Sequence, residues 1–281
     1  MRMMNTLRTL ILGSALALVT TGCFTVDMLF KVRPDGSGDI EVTTTVKKDF
    51  VEQMAAFAGV EVPEGEGGAG GQLFSEAKLQ EQADKLGPGV KLVRHEMISS
   101  ENVEGVRAFY TFTDIGALRA DVMGAAPGND GGGEGLDLKF EKGGGGKPSV
   151  ITAQLPKPEL PDSGGDSAGK TDEAGDPEAA KEFSMDDPQM QMMAQMFSGL
   201  KFRIALEVQG KLVSSNAPKV EGNRSILLDV DFDKMMASPE KLGSLFAAEP
   251  SSLADLQKLT TEIPGLVVPL VEELRIEFTG K

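Results

Sequence analysis

The chain has 281 residues and a formal net charge of −15, with no tryptophan, one tyrosine and one cysteine. An acidic surface repels nucleic acid and anionic lipid headgroups, so neither is an expected partner of the folded body. Sparse aromatic residues argue against a carbohydrate-stacking site. A single cysteine allows no intramolecular disulfide, so the fold has to be stabilised by apolar burial.

Residues 1–22 have the features of a bacterial export signal. Two arginines precede an apolar stretch over residues 10–19, and small residues stand immediately before Cys23. This order is typical of a secretory signal peptide, and the apolar stretch is shorter than the about 20 residues that a membrane span needs. The site resembles the lipobox of bacterial lipoproteins, with Thr20 where leucine is commoner. We therefore expect cleavage before Cys23 and lipidation of its thiol.

The lipid on Cys23 would anchor the mature chain to a membrane without spanning it. A diacylglyceryl group and an amide-linked acyl chain such as palmitate together supply the two hydrophobic signals that stable anchoring needs. Phe24 follows the cysteine, and by analogy with lipoprotein sorting in Gram-negative bacteria the lack of aspartate there favours the outer membrane over the inner one, with the body in the periplasm. The alternative is an ordinary signal peptide that precedes a cysteine by chance.

Residues 23–123 are predicted to form an N-terminal α+β lobe. Strict alternation of apolar and polar residues predicts strands, and clusters of Pro, Gly, Asn and Asp predict the turns between them. Capping residues that precede a helical spacing of apolar side chains predict helices. The predicted elements are strands 26–32 and 40–46, a helix from Asp49 that caps it, a helix over 75–86, and a hairpin of strands 90–97 and 106–112 with its turn at 102–105.

Residues 136–281 are predicted to form a C-terminal α+β lobe, separated from the first by a flexible Gly-rich loop at 124–135. An insertion at 156–182 contains almost no apolar residues and is expected to be disordered. The predicted elements are strands 136–140 and 149–155, a helix over 188–198, strands 200–208, 211–215 and 225–232, short helices from Ser238 and from Ser251 or Ser252, and a closing strand 274–278.

The fold class follows from the hairpins. They indicate antiparallel sheets with helices packed on one face, an α+β fold rather than a parallel doubly wound sheet. The sequence Val-Glu-Gly occurs at Val103 and again at Val220. This echo leaves two interpretations open, a duplication that gives two similar lobes, or two hairpins with the same turn chemistry.

The sequence offers little catalytic chemistry. G-x-G-x-x-G at 65–70 and G-x-S-x-G at 165–169 match known motifs, but neither has the strand–turn–helix setting that its function requires. His95 is the only histidine and lies among charged neighbours on a predicted strand, without the ligands that a metal site needs. We therefore expect a protein that is not an enzyme and that has no cofactor and no catalytic residues.

Two clusters remain as candidate binding sites. Residues 229–240 imitate an EF-hand loop, but Lys234 stands where the loop needs glycine, so a strand followed by a helix capped by Asp233 is favoured over calcium binding. Met190, Met193 and Met196 share one face of the predicted helix. Their thioethers suit core packing first, a groove for an apolar ligand or partner second, and a Cu(I) site last.

Several short segments resemble a widespread group of bacterial lipoproteins. The resemblance is carried by residues 23–24, 32–41, 216–217, 221–222 and 263–265. More distantly, the chain is similar to the mycobacterial lipoprotein M type of domain, an α+β module suspected of lipid contact. Because the group has no assigned catalytic residues, the resemblance implies none here.

Three functions are therefore considered. The first is a lipid-anchored structural or protein-interaction module of the cell envelope, with the membrane as partner through Cys23. The second is a binder of lipid or another apolar ligand in a groove between sheet and helices, using Met190, Met193 and Met196. The third, more remote, is Cu(I) or calcium binding.

Overall fold

The computed structural model describes residues 23–51, 74–120, 136–154, 194, 197–248 and 252–280. The predicted signal peptide, the loop at 124–135 and the insertion at 156–182 lie outside the described residues. The same holds for Met190, Met193 and Met196.

Strands dominate the described residues. The strands are β1 Phe24–Val32, β2 Gly38–Lys47, β3 Lys91–Ser99, β4 Val103–Phe112, β5 Arg119–Ala120, β6 Leu136–Glu141, β7 Ser149–Gln154, β8 Leu200–Val208, β9 Lys211–Ser215, β10 Lys219–Glu221, β11 Arg224–Asp231, β12 Leu266–Val267 and β13 Glu273–Thr279. The helices with both ends described are α1 Glu76–Leu86, α2 Phe232–Met236, α3 Pro239–Ala247 and α4 Leu253–Thr261, with a 3-10 turn at Ile115–Ala117. Helical residues also occur at 48–51, where a helix was expected from Asp49, and at 194 and 197. None of these helices is long and apolar enough to cross a membrane.

The first sheet has its strands in the order β10-β11-β8-β1-β2-β4-β3, and β12 pairs with β11. β1 is antiparallel to β2 but parallel to β8, with Phe24 opposite Leu200 and Val32 opposite Val208. The expectation of purely antiparallel sheets is therefore wrong, and this sheet is mixed. Alternation of apolar residues identifies which face of a strand is buried, but it contains no information about strand direction.

The second sheet has the order β5-β6-β7-β13-β9, and its pairs are antiparallel. β8 and β9 are adjacent in sequence but belong to different sheets, so the turn at Gly210 transfers the chain from one sheet to the other. The first sheet combines strands from 23–123 with strands from 136–281. The two halves of the sequence therefore do not build separate sheets.

One core lies between the two sheets and α1. The inner faces of β1, β2, β4 and β8 contribute their alternate apolar residues, and β7 and β13 contribute theirs from the second sheet. α1 adds Leu79, Ala83 and Leu86 to this core. α2 and α3 instead contribute Met236 and Leu242 to a smaller cluster, which Ile263 completes. The helices are therefore not clearly packed on one face of the sheets, because α1 and the pair α2 and α3 bury different apolar clusters.

The Val-Glu-Gly echo occupies two different settings. Gly105 lies inside β4, where an added Cβ would stand 2.3 Å from the Thr44 carbonyl oxygen. Gly222 lies in the turn between β10 and β11 with a φ of 64°. The expected turn at 102–105 is accordingly displaced, since β4 already begins at Val103. The two copies of the echo therefore have different structural settings.

Candidate functional site

Cys23 lies at the start of the central strand of the first sheet. The residue is half-buried, and its carbonyl oxygen accepts a hydrogen bond of 2.8 Å from the backbone N–H of Lys47. β1 begins at the next residue, Phe24. A lipid group on the Cys23 thiol would therefore lie directly beside the folded body.

The strand ends beside Cys23 form one edge of the first sheet, which we call the tether edge. β1 and β8 both start at this edge, whereas β2 and β11 run in the opposite direction and end there. The edge therefore brings together residues that are far apart in the sequence. It consists of Cys23, Lys47, Lys48, the turn at 100–102, the residues 197–200 that enter β8, and residues 231–234 at the end of β11.

Aromatic side chains are concentrated at the tether edge. Phe24 and Phe202 make an edge-to-face contact with ring centroids 5.9 Å apart. Phe197 contacts Phe232 at 5.2 Å and is 37% exposed. Because Phe232 also packs against the small helical cluster, it supports Phe197 from behind. The arrangement presents a large apolar ring to the surroundings.

Asp231 is the buried charged residue of this edge. Its carboxylate accepts a hydrogen bond from the backbone N–H of Lys234 at 3.3 Å, which caps α2. The side chains of Lys201 and Lys234 lie 3.3 and 3.1 Å from it. Burial would raise the pKa of Asp231, but the hydrogen bonds from Lys234 and Lys201 outweigh it and hold the pKa below the ordinary value. Asp231 is therefore a structural anion.

The residues of the proposed calcium loop are used for packing and capping. Residues 229–231 end β11, and α2 follows at once. Asp231, not Asp233 as expected, caps that helix, while the Asp233 carboxylate accepts a hydrogen bond of 2.6 Å from Gly199 N–H. Within the described residues, no group of His, Cys, Asp and Glu is arranged to hold a metal. The EF-hand geometry is therefore not formed here.

The outer face of the first sheet is covered by ion pairs. Lys31 and Glu41 are 2.9 Å apart, and Arg224 and Glu207 are 2.7 Å apart. Asp27 lies on the same face of β1 as Lys31, and its pKa is raised because desolvation outweighs the attraction of Arg203 and Arg224. In the two ion pairs the cation already has a protein carboxylate as its partner, so neither pair adds net charge to this face.

A groove of about 360 Å³ lies at the opposite end of β1 from Cys23. It is lined mainly by Pro34, Asp35, Lys142, Lys147 and the glycines between the two lysines. Ser149 organises the loop, because its Oγ accepts from Gly143 N–H at 2.9 Å and donates to the Pro34 carbonyl at 3.1 Å. The groove is lined by residues of turns and strand ends and by none from a helix, so it is not the expected groove between sheet and helices.

The other residues singled out by the sequence are not brought together. His95 lies on the edge strand β3 opposite Ala108 and is half-buried. Met190, Met193 and Met196, the proposed ligand-binding residues, lie outside the described part of the chain. Their described neighbour Ala194 packs against the small helical cluster. Phe197 was missed by sequence analysis, although its position just before the most regular strand signal was visible.

Comparison with known proteins adds a distant structural resemblance. No protein-family model matches the sequence, and no curated protein is similar enough to match. The chain is similar to the folded domain of the Mycobacterium tuberculosis LppM protein, solved by NMR, with a TM-score of 0.31 and 8% sequence identity. The alignment covers 92% of this chain and 91% of that domain. At this distance, no residue or function is transferred.

Proposed function

We propose that the chain is an exported lipoprotein, anchored to a membrane of the cell envelope through lipid on Cys23. The observation that carries the proposal is the position of Cys23, which follows a signal-like segment and immediately precedes the central strand of the fold. Cleavage before this residue would leave the two packed sheets, which we call the sandwich, intact. The modified N-terminus would lie at the edge of the first sheet. In a Gram-negative host, Phe24 favours the outer membrane.

The anchored body acts in this proposal as a structural or protein-interaction module and not as an enzyme. The types and positions of the ionisable residues support this view. The single histidine lies on an edge strand, and Glu41 and Glu207 on the outer sheet face are paired with Lys31 and Arg224. General acid–base and nucleophilic catalysis usually need a perturbed group beside a reacting site. Asp27 has a raised pKa, but among the described residues no such reacting site lies beside it.

A lipid or apolar-ligand binder is the competing proposal. The core between the sheets is filled by large buried side chains such as Tyr110, Ile151 and Phe278. The groove at the far end of β1 is lined by glycines and lysines. Apolar ligands prefer concave sites with apolar linings. The filled core favours the anchored module over the ligand carrier.

The test is acylation and fractionation of the full-length chain in a Gram-negative host fed a labelled palmitate analogue. The natural chain should incorporate label and remain with membranes at high salt, because acyl chains and not surface charge hold it there. Cys23→Ser should lose the label and accumulate as precursor or soluble protein. Phe24→Asp is the matched control, which should keep the label but move to the inner membrane.

Two results would contradict the proposal. One is a natural chain that is exported and processed without label. The other is a processed Cys23→Ser protein that still fractionates with membranes. A labelled Phe24→Asp protein that stays in the outer membrane would contradict only the sorting expectation.

A further inference from the structure

We propose that the tether edge lies in the headgroup layer of the bilayer that holds the Cys23 lipid, with the Phe197 ring in contact with lipid. This inference rests on the proposed lipidation of Cys23 and adds an orientation to it. The occupant of the exposed apolar surface at this edge is then the membrane itself.

The distance between anchor and fold is fixed by the sheet. Cys23 is already hydrogen-bonded to Lys47 through its backbone, so no flexible linker separates the lipid from the sandwich. Neighbouring strands are about 4.8 Å apart, which places the ends of β2 and β8 about 5 Å from the anchored strand and the end of β11 about 10 Å from it. A lipidated Cys23 would therefore bring these strand ends to the level of the headgroups.

The exposed ring of Phe197 belongs to this edge. It precedes Leu200, the residue paired with Phe24 at the start of β1. Other large apolar side chains with high exposure, such as Val93, Val213 and Val220, lie on the edge strands β3, β9 and β10. An amphipathic surface that lies on a membrane typically presents large apolar side chains to the boundary between headgroups and acyl chains. Phe197 is placed to do so.

The charges of the tether edge permit this approach despite the acidic chain. The defined tether edge contains three cations, Lys47, Lys48 and Lys234, and three anions, Glu101, Asp231 and Asp233, so its formal charge is zero. Lys234 lies 3.1 Å from Asp231, and Lys48 lies 3.7 Å from Glu104. Balanced charges add little net field, so the edge avoids the repulsion that the net charge of −15 would otherwise cause. The orientation directs the glycine-rich groove, at the other end of β1, away from the membrane.

The chain contains no tryptophan, so a single introduced indole reports its own surroundings. The experiment uses lipidated full-length Phe197→Trp protein, purified from membranes and reconstituted into phosphatidylcholine vesicles with or without brominated acyl chains. We expect emission at shorter wavelength and strong quenching by the brominated lipid. Val220→Trp is the matched control, because Val220 is 42% exposed on β10, away from the tether edge. Its emission should be quenched by aqueous iodide instead.

The outcomes separate the inference from the proposed function. If palmitate labelling confirms lipidation but Phe197→Trp is quenched no more than Val220→Trp, the orientation is wrong and the anchor stands. Shielding of the Phe197→Trp indole from both bromine and iodide would show that another protein surface covers the edge, which also overturns the inference. An unlabelled chain overturns the proposed function. If Phe197→Trp fails to fold, Ser198→Trp replaces it, because the adjacent Ser198 side chain is exposed.

Discussion

Asp231 shows how one side chain joins local and long-range structure. It closes β11, caps α2 through Lys234 N–H, and forms ion pairs that reach back to Lys201 on the neighbouring strand β8. The sequence correctly indicated that an aspartate caps the helix, but it indicated Asp233 and extended the strand to Phe232. The pattern could not distinguish the two because the choice depends on where pairing with β8 ends.

Replacing this carboxylate tests its structural role. Asp231→Asn keeps an acceptor for the helix cap but removes the charge, so we expect a loss of about 1–3 kcal/mol of unfolding free energy at pH 7. Because the folded-state pKa is lowered, the native protein owes this stability to the ionised form, and the contribution is present above the ordinary value of 3.8. It disappears as the pH falls through the lower folded-state pKa.

The measurement is urea unfolding of both proteins across the acid range. The difference between native and Asp231→Asn stability should shrink as the pH falls below 3.8. Asp84→Asn, an exposed position on α1, is the control and should change little at any pH. A constant difference between native and Asp231→Asn at all pH values would show that the asparagine perturbs packing and that the charge is unimportant.

At the scale of elements, most strands and helices follow from their patterns. Alternation located β1, β2, β8 and β13, and Ser75 before a run of apolar spacing located α1. The predicted start of β4 was wrong because a glycine that was expected in a turn lies within the strand. Gly105 was assigned to a turn but lies within β4, where its missing side chain allows Thr44 and Thr45 of β2 to approach closely.

A pair of glycine substitutions tests this interpretation. Gly105→Ala places a methyl group 2.3 Å from the Thr44 carbonyl oxygen and 2.9 Å from the Thr45 Cα, so β2 and β4 must separate. We expect a loss of about 1–3 kcal/mol, the usual cost of forcing additional volume into a packed site. Gly144→Ala is the control, because its added methyl meets nothing within 4 Å among the described residues. The measurement is thermal unfolding of both variants. Equal stability of Gly105→Ala and Gly144→Ala would contradict the close approach of β2 and β4.

At the scale of the whole molecule, the sequence predicted which kinds of element occur but not how distant strands pair. The α+β class was correctly predicted, because hairpins and capped helices are local. The parallel pairing of β1 with β8 and the transfer of the chain between sheets at Gly210 were not predicted. Both depend on contacts between segments distant in sequence, and an alternating strand has the same pattern in either direction.

The candidate site shows the same division between local and long-range information. Cys23 could be predicted as a lipidation site because export and lipidation signals are linear, whereas the tether edge exists only after β8 and β11 pair beside β1. Phe197 becomes conspicuous when its contact with Phe232 and its exposure are known. The lipid on Cys23 is therefore the one linear prediction on which the proposed orientation rests.

Intact-mass and peptide mass spectrometry of the mature protein, extracted from membranes by detergent, test that claim most directly. The account predicts an N-terminal peptide that begins at Cys23 and has a mass increased by a diacylglyceryl group, with or without a further amide-linked acyl chain. An unmodified N-terminal peptide, or a mature chain that begins at any other residue, would contradict it.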